Sequence, residues 1–190
     1  STENWMRPEA ELEVLWKLLK KILVREMAEL HRNNVHFHLI GETERLQSDV
    51  RKIVDEAVEL MKNNDGLEHT FAVSYGGRRD LARASRLFAE DCVEGRRRPA
   101  EMSEDLMWKY LWTCDMGELA DVDLVIRTSG EQRVSNFLIW QSAYAEYVFS
   151  EMLWPDFGVE EFGRVLSEFN LRNRRFGKVA SSLIPRAESG

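Results

Sequence analysis

The sequence predicts an α/β protein, a parallel β-sheet flanked by helices and lacking the first strand. Three observations predict it. Segments that alternate like strands take turns with segments of helical apolar spacing, no two-residue hairpin turn joins any pair of strands, and the chain opens on a helix. In a parallel sheet, an opening helix with no leading strand is what a missing first unit would look like. The 190 residues are 44% apolar and 31% charged, enough to bury a substantial core and too apolar for a disordered chain. They read as one domain over 1–178, incomplete at its amino end, followed by a loose tail at 179–190.

The elements follow in order. From Pro8 to about Arg32, Leu12, Leu15, Trp16, Leu19, Ile22, Leu23, Met27 and Leu30 keep helical spacing, with Glu9 and Glu11 at the positive end of the helix dipole. Asn33-Asn34 stops this helix. Val35 to Ile40 alternates as a strand, with Val35, Phe37 and Leu39 on one face and His36 and His38 on the other. A helix over about Ser48–Lys62 exits through Asn63-Asn64-Asp65-Gly66, and a strand at His69–Val73 ends in the glycine turn Ser74-Tyr75-Gly76-Gly77. Helices are expected at about Arg79–Glu94 and Ser103–Thr113, separated by Arg96-Arg97-Arg98 and Pro99. Asp123–Arg127 reads as a short strand, Asn136–Ala145 as a buried helix, Tyr147–Ser150 as a strand and Val159–Asn173 as the last long helix.

Charge and composition exclude several classes. The formal charge of −7 argues against non-specific nucleic-acid binding, which needs a basic footprint. No apolar run approaches the roughly 20 residues that span a bilayer. The two cysteines, Cys92 and Cys114, have no metal-ligand spacing, which predicts a reducing, cytoplasmic setting and no zinc site. His36 and His38 stand two apart on a strand with no third ligand in reach, so they read as surface histidines. The basic residues are 19 Arg against 7 Lys, and Arg is the one suited to bidentate contact with phosphate.

The strongest local signal is DVDLVIRTSGEQRVSNF at 121–137. A strand ends at Arg127, a small-residue turn follows, and Arg133, Ser135 and Asn136 return before the next expected helix. Ligands of open α/β sheets bind beyond the carboxyl ends of strands. Two Arg, a hydroxyl and a helix N-terminus are the parts of a diphosphate site. An Arg–Glu network, with Glu131 pairing Arg127 or Arg133, explains the spacing equally well. The opening Ser1–Pro8 segment reads as a helix cap with a packed Trp, Ser74–Arg78 as a plain strand-to-helix turn, and Arg96–Arg98 as a solvated loop.

Taken together, the segments resemble the cis-prenyltransferase family, whose best-known members are undecaprenyl diphosphate synthases. The matching strings are STENWMRP at 1–8, LHRNNVHFHLIGE at 30–42, SYGGRRDL at 74–81, DLVIRTSGEQRVSNFLIWQSAYAEYVF at 123–149, LWPDF at 153–157 and RRFG at 174–177. The resemblance implies condensation of isopentenyl diphosphate with an allylic diphosphate, such as farnesyl diphosphate, to give a polyprenyl diphosphate with cis double bonds. It implies Mg2+, a homodimer, an apolar tunnel for the growing chain, and contact with a membrane surface for long products.

By motif, Arg127, Arg133 and Ser135 resemble the residues that bind isopentenyl diphosphate. Glu146 resembles the magnesium ligand that acts across the dimer, and Asn4 with Ser1 the polar group implicated in removing the proton. Trp5 and Arg7 resemble residues lining the substrate site, Arg175 and Gly177 the terminal Arg-x-Gly that reaches the partner's site, and Leu67 a tunnel-floor position. The chain departs from the pattern twice. Ser74 stands where the family usually has Asn, and the Asp-Gly-Asn-Gly-Arg-Trp motif with the catalytic aspartate is not among these residues, so that aspartate is expected in a preceding segment. Two alternatives are compatible with the motifs: a non-catalytic partner subunit of a heteromeric enzyme, and a short-chain or lavandulyl-type synthase making a branched linkage.

Overall fold

The computed structural model describes residues 1–172. They group into two compact units: Ser1–Gly117 with Asn136–Leu138, and Glu118–Ser135 with the described residues from Ile139 onward. Each unit is built on one pair of parallel strands.

In the first unit, helix α1 spans Glu9–Arg32, strand β1 His36–Ile40, helix α2 Ser48–Met61, strand β2 Glu68–Ala72 and helix α3 Gly77–Val93. Acidic Glu9 and Glu11 open α1, and His31 and Arg32 close it, both favourable to the helix dipole. Helix α2 buries Val50, Val54, Ala57 and Met61, one stripe at helical spacing. That stripe meets Leu23, Trp16, Leu19, Met27 and Leu30 of α1, and Phe37, Leu39 and Phe71 of the strands, to form the core. Phe37 is 1% exposed and meets Phe71 edge-to-face with ring centroids 5.1 Å apart.

The register of β1 on β2 pairs His36 with Glu68 and Ile40 with Ala72. Two turns lock it. The Asn34 side-chain amide donates to Asp65 Oδ1 at 2.7 Å, the Asp65 N–H donates back to Asn34 Oδ1 at 3.2 Å, and the Gly66 N–H donates to the Asn34 carbonyl at 3.0 Å. Asn64 adds a bond from its amide to the Val35 carbonyl at 2.6 Å. Asn34 sits at φ 58°, a left-handed conformation that Asn tolerates better than most residues.

The fourth expected helix is shorter than its sequence pattern. Only Glu104–Trp108, helix α4, is helical. Beyond it the N–H groups of Tyr110 and Leu111 bond three residues back, and the Trp112 N–H leaves the helical path to donate to Asp80 Oδ1 at 3.0 Å. Asp80 is 1% exposed and also accepts the Tyr75 hydroxyl at 3.1 Å. A buried carboxylate needs such donors, and it takes the Trp112 N–H at the helix's expense. A run of 3-10 turns at Cys114–Ala120 follows, with Gly117 at φ 56°.

In the second unit strand β3 spans Leu124–Arg127 and strand β4 Glu146–Phe149, paired in parallel, and helix α5 spans Val159–Asn170. The expected helix at Asn136–Ala145 is absent; the segment is a series of turns. Ser135, Asn136 and Leu138 have φ of 50°, 60° and 46°. Left-handed residues cannot propagate a right-handed helix, so the apolar spacing of this stretch is satisfied by turns. Past the strand ends the two segments stay hydrogen-bonded through a turn, with the Gly130 N–H donating to the Ser150 carbonyl at 3.0 Å and the Ser129 N–H to that of Met152 at 2.8 Å.

Helix α5 is tied to the end of β4 through Glu161. Arg164 donates to both its oxygens, at 2.7 and 2.8 Å, and the Ser150 hydroxyl to Oε1 at 2.7 Å. Arg164, then Ser150, pull the Glu161 carboxyl down to about 2 from an ordinary 4.5. A depressed folded-state pKa contributes stability that is complete above the ordinary value and is lost as pH falls through the folded one. Glu161→Gln should therefore lessen the loss of stability between pH 4.5 and about 2, as measured by denaturant melts followed across that range.

Candidate functional site

The first unit holds a cavity of about 210 Å³ lined by both polar and apolar side chains. Leu12, Leu15, Trp16 and Leu19 come from one face of α1, at helical spacing, and Ala72 and Val73 from the carboxyl end of β2. Ser1, Asn4, Trp5 and Ser74 complete the lining. A 3-10 helix over Thr2–Met6 carries Asn4 and Trp5 to this place. Trp5 is fixed on three sides: its indole N–H donates to Ser74 Oγ at 2.7 Å, the Trp16 ring packs against it at a tilt of 40° with centroids 5.6 Å apart, and the Arg45 guanidinium lies 4.4 Å from its ring centre. Ser74 is itself 4% exposed with φ 51°, so the position where the resemblance expects Asn supplies the acceptor that orients Trp5.

The glycine turn after β2 behaves as a strand-to-helix turn. Gly76 is the N-cap of α3 and, lacking a side chain, cannot cap it. Asn136 does so from a distant part of the sequence. Its carbonyl accepts from the Gly77 N–H at 2.6 Å, its Oδ1 from the Arg78 N–H at 2.8 Å, and its amide donates to Glu3 Oε1 at 3.1 Å. The Glu3 carboxyl is lowered by its own backbone N–H and then by this amide. A Cβ on Gly76 would lie 2.7 Å from Thr2 Oγ1 and 2.8 Å from Asn136 Nδ2, so a larger residue here would have to displace the side chain that caps α3. Asn136 was expected to open a helix that would aim its N–H groups at an anion. It opens none, and its polar groups serve α3. The signal for this role was Gly76 itself, a helix start with no capping side chain.

In the second unit Arg127 ends β3. Ser129 and Gly130, both at φ 67°, turn the chain back, and Ser135 returns so that its Oγ lies 3.5 Å from Arg127 Nη2. Arg133 is exposed and pairs with Glu131. The Arg–Glu pairing thus engages Arg133, while Arg127 faces the hydroxyl. A guanidinium and a hydroxyl converging beyond a strand's carboxyl end suit an anionic oxygen ligand.

A prenyltransferase family model, described as "Putative undecaprenyl diphosphate synthase", matches residues 1–177. The chain belongs to this family. An isoprenyl transferase of Chlorobaculum tepidum is 44% identical over 183 residues, covering 96% of this chain and 68% of that protein. One from Geobacter sulfurreducens is 41% identical over 187 residues, covering 98% and 75%. Among solved structures, lavandulyl diphosphate synthase from Lavandula x intermedia, in complex with dimethylallyl diphosphate, superposes with a TM-score of 0.90 at 32% identity, over 93% of this chain and 75% of that one. A structure described as a probable undecaprenyl diphosphate synthase from Campylobacter jejuni gives 0.79 at 37% identity, over 93% and 79%.

The remaining residues that the prenyltransferase resemblance singles out are placed as follows. Arg7 is exposed and pairs with Glu11 at 3.7 Å, outside the lining of the cavity. Leu67 lies just before β2, 70% exposed, at the end of the strand opposite Val73. Glu146 opens β4, and its Oε2 accepts from Arg172 Nη1 at 3.2 Å. Arg175 and Gly177 lie outside the described residues, as does the tail at 179–190. His36 and His38 do have a third potential ligand, because Glu68 meets both across the strand pair. Asn136→Ala should destabilise the protein by about 1–2 kcal/mol, the scale of a lost helix cap, in a denaturant melt.

Proposed function

We propose that this prenyltransferase elongates isoprenoid chains, joining isopentenyl diphosphate to an allylic diphosphate with a cis double bond. The carrying observation is the cavity's composition: polar Asn4 and Ser1 line it together with apolar Leu12, Leu15, Trp16 and Leu19. An allylic substrate has the same division, a charged head and a hydrocarbon tail. Each buried methylene of that tail contributes about 0.8 kcal/mol.

In the reaction, the carbon–oxygen bond of the allylic diphosphate breaks and diphosphate departs with the electron pair. The isopentenyl double bond supplies the electrons for the new carbon–carbon bond, and a proton then leaves that unit. Arg127 and Ser135, with Arg133, hold the isopentenyl diphosphate, and Asn4 with Ser1 orients the departing proton. Trp5, held by Ser74 and Trp16, keeps the reacting end in place, and Arg7 contributes charge at the substrate entrance. Leu67 limits product length from the tunnel floor.

Glu146 is the residue that would hold Mg2+, which keeps most of its shell as water and phosphate oxygen and needs only one or two carboxylates. The ion supplies charge stabilisation to the diphosphate group when bound. The catalytic aspartate belongs, in this reading, to a segment preceding Ser1. The protein works as a homodimer in which Arg175 and Gly177 reach the partner's site, and long products bring it to a membrane surface. Among the described residues, no helix is long and apolar enough to cross one.

The complete polypeptide, given farnesyl diphosphate, isopentenyl diphosphate and magnesium, should yield linear polyprenyl diphosphates by mass spectrometry. Folded protein with no product, or a branched product, would overturn the assignment. Arg127→Ala removes a charge-assisted contact of about 1.5–3 kcal/mol, so the KM for isopentenyl diphosphate should rise roughly tenfold or more. The KM for the allylic substrate should change much less, and equal rises in both would place Arg127 elsewhere.

A further inference from the structure

Three ligand-type side chains gather at the amino ends of β1 and β2. Strand alternation puts His36 and His38 on the face of β1 opposite the core residues Phe37 and Leu39. The parallel register sets Glu68 beside His36. Its two carboxylate oxygens divide between the two rings: His36 Nδ1 is 3.0 Å from Oε1 and His38 Nε2 is 2.5 Å from Oε2. The ring centroids are only 4.1 Å apart, so both imidazoles turn their nitrogens toward one place. The three donor atoms all lie within 4.8 Å of one another. The side chains are 25–28% exposed, which leaves the place open to an ion from solution.

We propose that His36, His38 and Glu68 form a binding site for a borderline divalent ion of the Zn2+ type, completed by water. Two imidazoles and one carboxylate are the donor set such an ion takes, whereas Mg2+ prefers an all-oxygen shell. A zinc–nitrogen bond and a zinc–oxygen bond of about 2.0–2.2 Å at a tetrahedral angle put the two donors about 3.3 Å apart. The His36–Glu68 separation of 3.0 Å needs to open by a few tenths of an ångström, and the His38–Glu68 separation of 2.5 Å by about 0.8 Å, a side-chain rotation of the partly exposed carboxylate. Other clusters of carboxylates and cations in the described residues already pair acid with base, as Glu161 does with Arg164. Here a single carboxylate faces two bases that carry no fixed charge when neutral.

The site stands apart from the reacting end of the proposed chemistry. The cavity that carries the functional reading opens at Ala72, Val73 and Ser74, at the carboxyl end of β2, whereas Glu68 is that strand's first residue. An ion bound by β1 and β2 would clasp the two strands where they begin, stabilising the pair away from the reacting groups.

Zinc titration of the full chain, followed by the side-chain resonances of its four histidines, tests the site. With Zn2+ at one equivalent, the His36 and His38 ring signals should shift together, while those of His31 and His69 stay in place. Mg2+ at the same concentration should move none of the four. Calorimetry should give one zinc per chain, and Glu68→Gln, which keeps the side chain's shape and loses its charge, should weaken binding at least tenfold. Shifts at His31 or His69 in place of His36 and His38, the same shifts with Mg2+, or zinc affinity unchanged in Glu68→Gln would each overturn the proposal. So would the absence of zinc binding by the wild-type chain, a result that depends on no variant folding.

Discussion

The pairing of β1 with β2 in one register is the constraint on which the first unit depends. A slip of one residue would turn every side chain of a strand to the opposite face. Phe37 and Phe71 would leave the core, and Ala72 and Val73 would no longer line the cavity as they do. The lock is local and polar: Asn34 and Asp65 exchange bonds between the two turns that lead into the strands, and the Gly66 N–H adds a third. Hydrophobic burial supplies the drive toward a compact state. These few hydrogen bonds favour one register among the compact states, each adding about 0.5–1.5 kcal/mol.

Much of this was legible in the sequence because it is written in period and punctuation. The stripe Val50, Val54, Ala57, Met61 and the alternation around Phe37 need only spacing to be read. The stops at Asn33-Asn34 and Asn63–Gly66 mark the true ends of α1 and α2 within a residue or two. The failures occur where a backbone group bonds to something distant. Asp80 draws the Trp112 N–H away from the helix that Ser103–Thr113 would otherwise continue, and no window of sequence contains both residues. Asn136 lies in a stretch whose apolar spacing reads as a helix, yet its left-handed backbone makes it a cap for α3 instead.

The candidate site divides in the same way. Arg127 at a strand's carboxyl end follows from the position of the strand, and Ser135 beside it follows from the turn that brings the chain back. The meeting of Glu68 with two histidines depends on which strand lies next to which, and alternation along a single strand does not contain that information. The resemblance to a family located the polar and charged residues of interest. The physical arrangement then distinguished Arg127, which faces a hydroxyl, from Arg133, which is paired with Glu131. The overall charge of −7 is no obstacle to anion binding. Beyond a screening length of about 8 Å at physiological ionic strength, remote surface acids count for little against a guanidinium in contact.

The capping of α3 by Asn136 carries a consequence for the order in which the protein is made. Arg78 and its acceptor are 58 residues apart in the chain. At the usual synthesis rates of about 5–20 residues per second, the ribosome needs roughly three to twelve seconds to deliver the acceptor after the helix start has emerged. Throughout that interval the amino end of α3 is open to water, and the neighbouring Gly76 offers no side chain to close it. The helix is finished by a residue translated long after it, so its amino terminus settles late in the life of the nascent chain.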